Sequence, residues 1–465
     1  MMPLTASKSH LGQLVPAKNL QEISKTLRPD PLESQEELDA FYKKEIQQLR
    51  KVDRIGQIRL ELEDALANQQ NFKAFVMGHP GVGKTTEIFH LLLEMQDKIQ
   101  PLRLSITEEL NPGTLRYYDI LLLILLRLVQ AAGDPAIIGF QENDLRLLLD
   151  RVRDALACRW TKHLKVDSSE LGAGLEFPFL KFLGNIKLGS SREQGKEEHE
   201  VAFVTELVAL LNDVIAECNR LLARNKNGKQ WLLVLDDFEK IGAAPSLIRE
   251  LFTSLRPIFE GLKAHLLVVI PIWLYNSEDS NIILPANFRS KPLRDIAVFD
   301  SNHVKDAEVL SALAAVVNSR IDAGLFAEGV LDRCCIASGG NLRDLFTLIR
   351  DAMLSSRLRG VNVIAAQDLD EAIGSLREVY KGRLGSTGQD TNTATLEEKL
   401  TYLVSIYKRE NKIVDVPNPI QYLLLAQRCI LYYNGEAWLG VHPLVIDLLI
   451  DFKKLDEGSP GGSRP

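Results

Sequence analysis

Short continuous apolar runs alternate along this chain with longer stretches whose apolar residues recur at helical spacing, which predicts an α/β fold. Lys73-Ala74-Phe75-Val76-Met77, Leu102-Arg103-Leu104-Ser105-Ile106, Trp231-Leu232-Leu233-Val234-Leu235 and His265 to Ile270 read as strands, with Asp295 to Phe299 as a fifth. The first, third and fourth have almost no polar alternation, as expected for strands of a parallel sheet buried on both faces. Between them Leu38, Phe41, Ile46, Leu49, Ile55, Ile58, Leu62 and Leu66 mark amphipathic helices over residues 34–68. Further helices are predicted over residues 86–93, 114–132 and 201–224.

The pattern also divides the chain. Residues 1–35, punctuated by Pro3, Pro16, Pro29 and Pro31, read as an extended arm. Residues 36–300 hold the strands, with an insertion at about 135–225 in which residues 145–160 read as helix and 175–188 as a hairpin around Gly184-Asn185. Helices dominate residues 301–385, and 386–395 form a polar linker. Residues 396–456 make a last compact unit, and the Gly/Ser/Pro-rich segment 457–465 reads as a disordered tail.

Composition adds boundaries. At 465 residues the chain exceeds one ordinary core. A net charge of −7 argues against a surface that coats nucleic acid generally, while allowing a local basic patch. Five cysteines without metal-type spacing read as buried free thiols in a reducing compartment. The apolar run Ile120 to Leu126 ends at Arg127, far short of a bilayer span, and no signal pattern opens the chain. A cytoplasmic protein without a membrane partner is expected.

Chemistry enters between the first strand and the helix after it. Gly78-His79-Pro80-Gly81-Val82-Gly83-Lys84-Thr85 matches the phosphate-loop pattern GxxxxGK[ST] in full. Its glycines let backbone N–H groups converge on phosphate oxygens at a helix N-terminus, with Thr86 in the first turn. Lys84 is expected to reach the β- and γ-phosphates of ATP and the Thr85 hydroxyl to ligate Mg²⁺. The third strand ends in Asp236-Asp237-Phe238-Glu239. Asp236 is placed to hold the hydration shell of Mg²⁺, and Asp237 or Glu239 to orient an attacking water. The fold expected is therefore an α/β P-loop NTPase core with a parallel sheet, followed by a helical unit and a separate C-terminal domain.

Taken together, the phosphate loop, the apolar strand ending in two aspartates, and Ser338-Gly339-Gly340-Asn341-Leu342-Arg343-Asp344-Leu345 resemble the AAA+/STAND branch of P-loop ATPases, including the origin-initiator group. The resemblance spans about residues 35–385. It implies that Arg343 is the lid arginine that senses the γ-phosphate, that Asn276 is the polar sensor after the fourth strand, and that Arg289 is the finger completing a neighbouring subunit's site, with Arg294 and Arg256 as rivals. Many such ATPases carry Glu directly after the metal-side Asp. This chain carries Asp237 there, which implies slow hydrolysis.

Residues 401–451 resemble a winged-helix module, with Asn434-Gly435 as its hairpin turn and residues 420–431 as its recognition helix. Over residues 396–456 seven Lys/Arg stand against eight Asp/Glu, so strong phosphate contact has no basic excess behind it. Protein docking is the preferred reading of this module. The expected function is an ATP-binding, slowly hydrolysing switch that forms homo-oligomers in its ATP state and engages a partner protein. The alternative is a DNA-acting AAA+ ATPase, such as an initiator, loader or transposition regulator, that holds DNA through the winged helix.

Overall fold

The computed structural model describes residues 14–134, 137, 197–225, 228–241, 245–277, 280–385, 394–409, 418–433 and 438–464. The expected helix at 145–160 and hairpin at 175–188 lie outside these. Five parallel strands form one sheet in the order β2-β3-β4-β1-β5: β1 is Lys73–Gly78, β2 Ile99–Ser105, β3 Gln230–Asp236, β4 His265–Pro271 and β5 Arg289–Pro292. Because strand side chains alternate between faces, each strand feeds two cores. Phe75, Met77, Leu233, Leu235, Val268 and Ile270 pack on one side, beneath helices Tyr117–Gly133, Glu197–Asn225 and Pro245–Gly261. Ala74, Val76, Leu232, Val234, Leu267 and Val269 pack on the other, beneath Arg54–Ala67 and Lys84–Glu94. This is the three-layer αβα arrangement. Among the described residues no helix is long and apolar enough to cross a membrane, and Cys218, Cys334, Cys335 and Cys429 are buried free thiols.

The fifth strand lies earlier than its apolar signal suggests. β5 pairs with Ala74 to Met77, whereas Asp295 and Phe299 form only isolated bridges, to Tyr433 and Lys305. As an edge strand β5 tolerates polar residues, and Lys291 extends to Glu61 at 2.6 Å. Ile296 and Val298 are buried as their pattern demands, but in the core beyond the sheet, and Ala297 packs on Leu431 and Tyr433.

The first and last described segments depart from expectation. The predicted extended arm contains the helix Leu20–Thr26, capped by Asn19, with Leu20, Ile23 and Leu27 at most 2% exposed. Its i, i+3, i+7 apolar spacing was readable, and the prolines lie outside it. Each buried side chain contributes about 1.5–3 kcal/mol relative to exposure. The predicted disordered tail folds back instead: the Ser463 amide donates to Asp447 at 3.1 Å and Arg464 pairs with Asp451, both on the helix Pro443–Asp451.

After the sheet come helices Ala307–Asn318, Val330–Ala337, Leu342–Leu358 and Ala366–Leu384. The C-terminal unit comprises Leu396–Lys408, Pro419–Ala426, an antiparallel hairpin of β6 (Ile430–Tyr433) and β7 (Trp438–Val441), and Pro443–Asp451. Its second helix turns most of its side chains inward. Gln421, Leu423, Leu424 and Leu425 are at most 2% exposed, and Tyr422 meets Trp273 of the αβα core with ring centroids 5.6 Å apart.

Candidate functional site

The phosphate loop joins β1 to the helix Lys84–Glu94 in the register its glycines predict. Gly81 and Gly83 have φ of 92° and 96°, the left-handed region where a side chain is strained. At Gly81 a Cβ would also lie 2.3 Å from Asn341 Oδ1 and 2.6 Å from Arg343 Cβ. Lys84 is buried, and its ammonium donates to the Gly78 and His79 carbonyls at 2.9 and 3.0 Å and pairs with Glu239 at 2.6 Å. His79 meets Asp295 at 2.5 Å, both fully enclosed, so the loop's second residue is anchored rather than open to ligand. Left-handed glycines, a helix N-terminus and a buried ammonium together fit a polyphosphate.

β4 separates β1 from β3, yet the two strand ends converge. Asp236 Oδ2 accepts from the Thr85 hydroxyl at 3.1 Å, which brings together the two residues expected at the metal. They supply the hard oxygen donors that Mg²⁺ prefers and so fit it. Asp237 is directed elsewhere: its φ of 70° turns it away from the strand line, where it accepts from Ser105 Oγ at 2.6 Å and pairs with Lys240 at 2.6 Å. Burial raises the Asp237 carboxyl's pKa, but hydrogen bonds from Lys240 and Ser105 outweigh it and hold the group below the usual carboxylate range. Glu239, at the start of the turn after β3, is the carboxylate that reaches Lys84.

Arg343 is the second residue of the lid helix Leu342–Leu358 and lines the cleft above the loop. Among the described residues no carboxylate pairs with it. Asn341 places the helix: its Oδ1 accepts from the Arg343 and Asp344 amides at 3.1 and 3.3 Å while its Nδ2 donates to the Pro80 carbonyl at 2.9 Å. Asn276 and Arg289 are not brought to the loop. Asn276 caps the short helix Ile272–Tyr275, donating to Ile272 O at 3.0 Å, and the residue of β4 that stands beside Gly78 is Pro271, which has no polar side chain. Arg289 opens β5 beside Ala74, at the opposite end of β1 from the loop, and is exposed. Of its rivals, Arg294 lies over the Tyr432 ring, and Arg256 bonds the carbonyl of Asn281.

Several lining residues escaped the sequence reading because they come from distant segments. Phe41, Ile46, Val316 and Phe346 form an apolar end to the cleft. Arg320 spans it, with its guanidinium 4.7 Å from the Phe41 ring and 5.3 Å from that of Phe346. Burial pushes Arg320 down to about 10, which still leaves it charged at neutral pH. Arg50, 5% exposed, bonds the Val82 carbonyl and pairs with Glu87 at 3.3 Å. The Leu32 amide donates to Thr86 Oγ1 at 3.1 Å. The N-terminal segment thus forms one wall of the cleft and the lid forms the other.

The C-terminal unit also reaches this place. Arg428 pairs with Asp344 at 3.1 Å and lies 3.5 Å from the Pro80 carbonyl. Tyr380 donates to Asp344 at 2.6 Å, and His442 approaches it at 3.5 Å. Lid, phosphate loop and C-terminal unit therefore share one buried polar cluster.

No protein-family model matches the sequence, and no curated protein matches it. Among solved structures, the chain is similar to the Aeropyrum pernix ORC1 protein in complex with DNA (11% identity, 86% of this chain and 91% of that one, TM-score 0.37). It is similar to Cdc6p from Pyrobaculum aerophilum (14% identity, 86% and 93%, TM-score 0.34). It is also similar to the ADP form of the Aeropyrum pernix ORC2 protein (13% identity, 89% and 98%, TM-score 0.37).

Proposed function

We propose that this chain is an ATP-binding switch of the initiator-like AAA+ kind, in which the phosphate loop, the lid and the C-terminal unit respond to the bound nucleotide together. The observation that carries this reading is the Pro80 carbonyl, in contact with Asn341 of the lid and within reach of Arg428 from the C-terminal unit. Movement of the loop around a phosphate would be felt by both. ATP, held by the loop with Mg²⁺ at Thr85 and Asp236, would supply a cleavable phosphoanhydride. The Gly78–Thr86 amides and Lys84 would bind and orient it, Arg343 would face its terminal phosphate from the lid, and the apolar end would take the base. Arg289 stays a proposal for a neighbouring subunit's site, since its exposed position at the far sheet edge leaves it free to reach a second copy.

Hydrolysis is assigned to Glu239 rather than Asp237. Asp237 is occupied by Ser105 and Lys240, whereas Glu239 stands at the loop, where a phosphate taking Lys84 would release its carboxylate to position water. Glu239→Gln is expected to lower ATP turnover about tenfold to a hundredfold with nucleotide affinity retained, measured by phosphate release and equilibrium binding. Unchanged turnover would return the role to Asp237.

The switch itself is tested by gel filtration and nucleotide titration of the full chain. ATP, but not ADP, is expected to shift the elution volume. Identical elution in both states, with binding demonstrated, would sink the coupling to assembly. The second reading, an ATPase that acts on DNA, is favoured by the helix, helix, hairpin, helix order of the C-terminal unit. The Aeropyrum pernix ORC1 structure is itself a complex with DNA. With Pro419–Ala426 packed on the core, DNA would have to meet a different face, or the unit would have to undock. Binding that falls steeply between two salt concentrations would favour this reading over protein docking.

A further inference from the structure

Asp236 is the carboxylate expected beside a divalent cation, and a second cation is already built against it. Arg103, from the middle of β2, donates to Asp236 Oδ2 through Nη2 at 3.0 Å and Nε at 3.3 Å. This is the same oxygen that accepts from the Thr85 hydroxyl, while Oδ1 accepts from the Asp237 amide at 2.7 Å. The guanidinium is fixed on its other sides as well. Nη1 pairs with Glu33 at 2.7 Å, the Phe89 ring centroid lies 5.5 Å away, and the side chain is only 10% exposed. Glu33 in turn follows Leu32, whose amide is tied to Thr86. Arg103 is thus a permanent positive charge, held from three directions, beside the phosphate-loop helix.

An ionised Asp236 at this distance from Thr85 would repel incoming phosphates unless a cation offset it. A divalent ion does so when bound; a guanidinium locked onto the same oxygen does so without one. We propose that Arg103 is a positioning residue that keeps Asp236 charge-balanced, so that the loop holds nucleotide with little help from a divalent cation. This rests on the nucleotide-binding reading above, and it also explains why Glu33 of the N-terminal segment lies here, since it keeps the guanidinium aimed at Asp236.

The test is titration of the full chain with a fluorescent ATP analogue, with Mg²⁺ in excess and again with EDTA. The wild-type affinities are expected to agree within about threefold. Arg103→Met, which keeps the contact with Phe89, is expected to bind at least tenfold more weakly without the metal than with it, and Arg103→Lys to restore part of the metal-free affinity. A merely structural role would lower both affinities together and leave their ratio unchanged. Should Arg103→Met fail to fold, the wild-type ratio and Arg103→Lys decide, the latter showing a larger ratio than wild type because an ammonium cannot reproduce the two guanidinium bonds to Asp236. A wild-type ratio above about thirtyfold, or equal ratios in wild type and Arg103→Met, would overturn the proposal. No binding under either condition would instead overturn the nucleotide reading and the role of Arg103 with it.

Discussion

Lys84→Ala is expected to weaken ATP binding by a hundredfold or more. The ammonium is buried beneath the loop, already desolvated and aimed by the Gly78 and His79 carbonyls, so a phosphate gains a preformed charge-assisted donor. A hydrogen bond to a charged group contributes about 1.5–3 kcal/mol. One donor remains beyond those two carbonyls, and that bond together with the charge attraction to the phosphates amounts to roughly two orders of magnitude in affinity. The substitution also leaves Glu239, 11% exposed, without its partner and facing the incoming anion. Isothermal titration measures the loss, and a melting curve of the free protein separates it from misfolding. Retained affinity would mean that the nucleotide, if bound, sits elsewhere.

Asp344→Asn is expected to cost the chain about 3 kcal/mol or more of stability at neutral pH and to abolish protection of the C-terminal unit by nucleotide. Asp344 is 2% exposed and satisfies Arg428 and Tyr380 at once. Removing one member of such a cluster leaves a buried guanidinium uncompensated, which typically costs about 3–5 kcal/mol. Burial works against the Asp344 charge, but Arg428 and then the hydrogen bonds of His442 and Tyr380 more than outweigh it and hold the carboxyl well below the usual range. With the folded pKa depressed, the stabilisation is complete above the unfolded value of about 4 and is lost as the pH falls further. Denaturant melts from pH 7 down to pH 3 should therefore show the gap between wild type and Asp344→Asn narrowing only below about pH 4. A constant gap would mean that the carboxylate is not the group holding Arg428.

Much of this was legible in the chain. The loop and its strand could be read because glycines at fixed offsets and a run of buried aliphatics have few other uses, and Asp236 because a continuous apolar strand ended on it. The lid was legible as far as Ser338 to Leu345. What stayed hidden depended on backbone angles or on distance along the chain. Nothing in Asp236-Asp237-Phe238-Glu239 tells that Asp237 adopts a left-handed conformation and yields the loop to Glu239. Arg103 looked like an ordinary polar position within a strand. Arg50 and Arg320 belong to segments separated by 270 residues, and only the fold brings them to one cleft. Asn276 failed for a simpler reason: β4 runs one residue further than its apolar signal, into Pro271, and a helical turn intervenes.

The wall formed by the N-terminal segment has a kinetic meaning. Leu32 on Thr86 and Arg50 on Val82 close one side of the cleft, and Asn341 on Pro80 closes the other. A molecule held between two such walls leaves more slowly when one of them must first swing aside. The lifetime of each loaded state would then be written into residues 29–50 as much as into the loop that holds the phosphates.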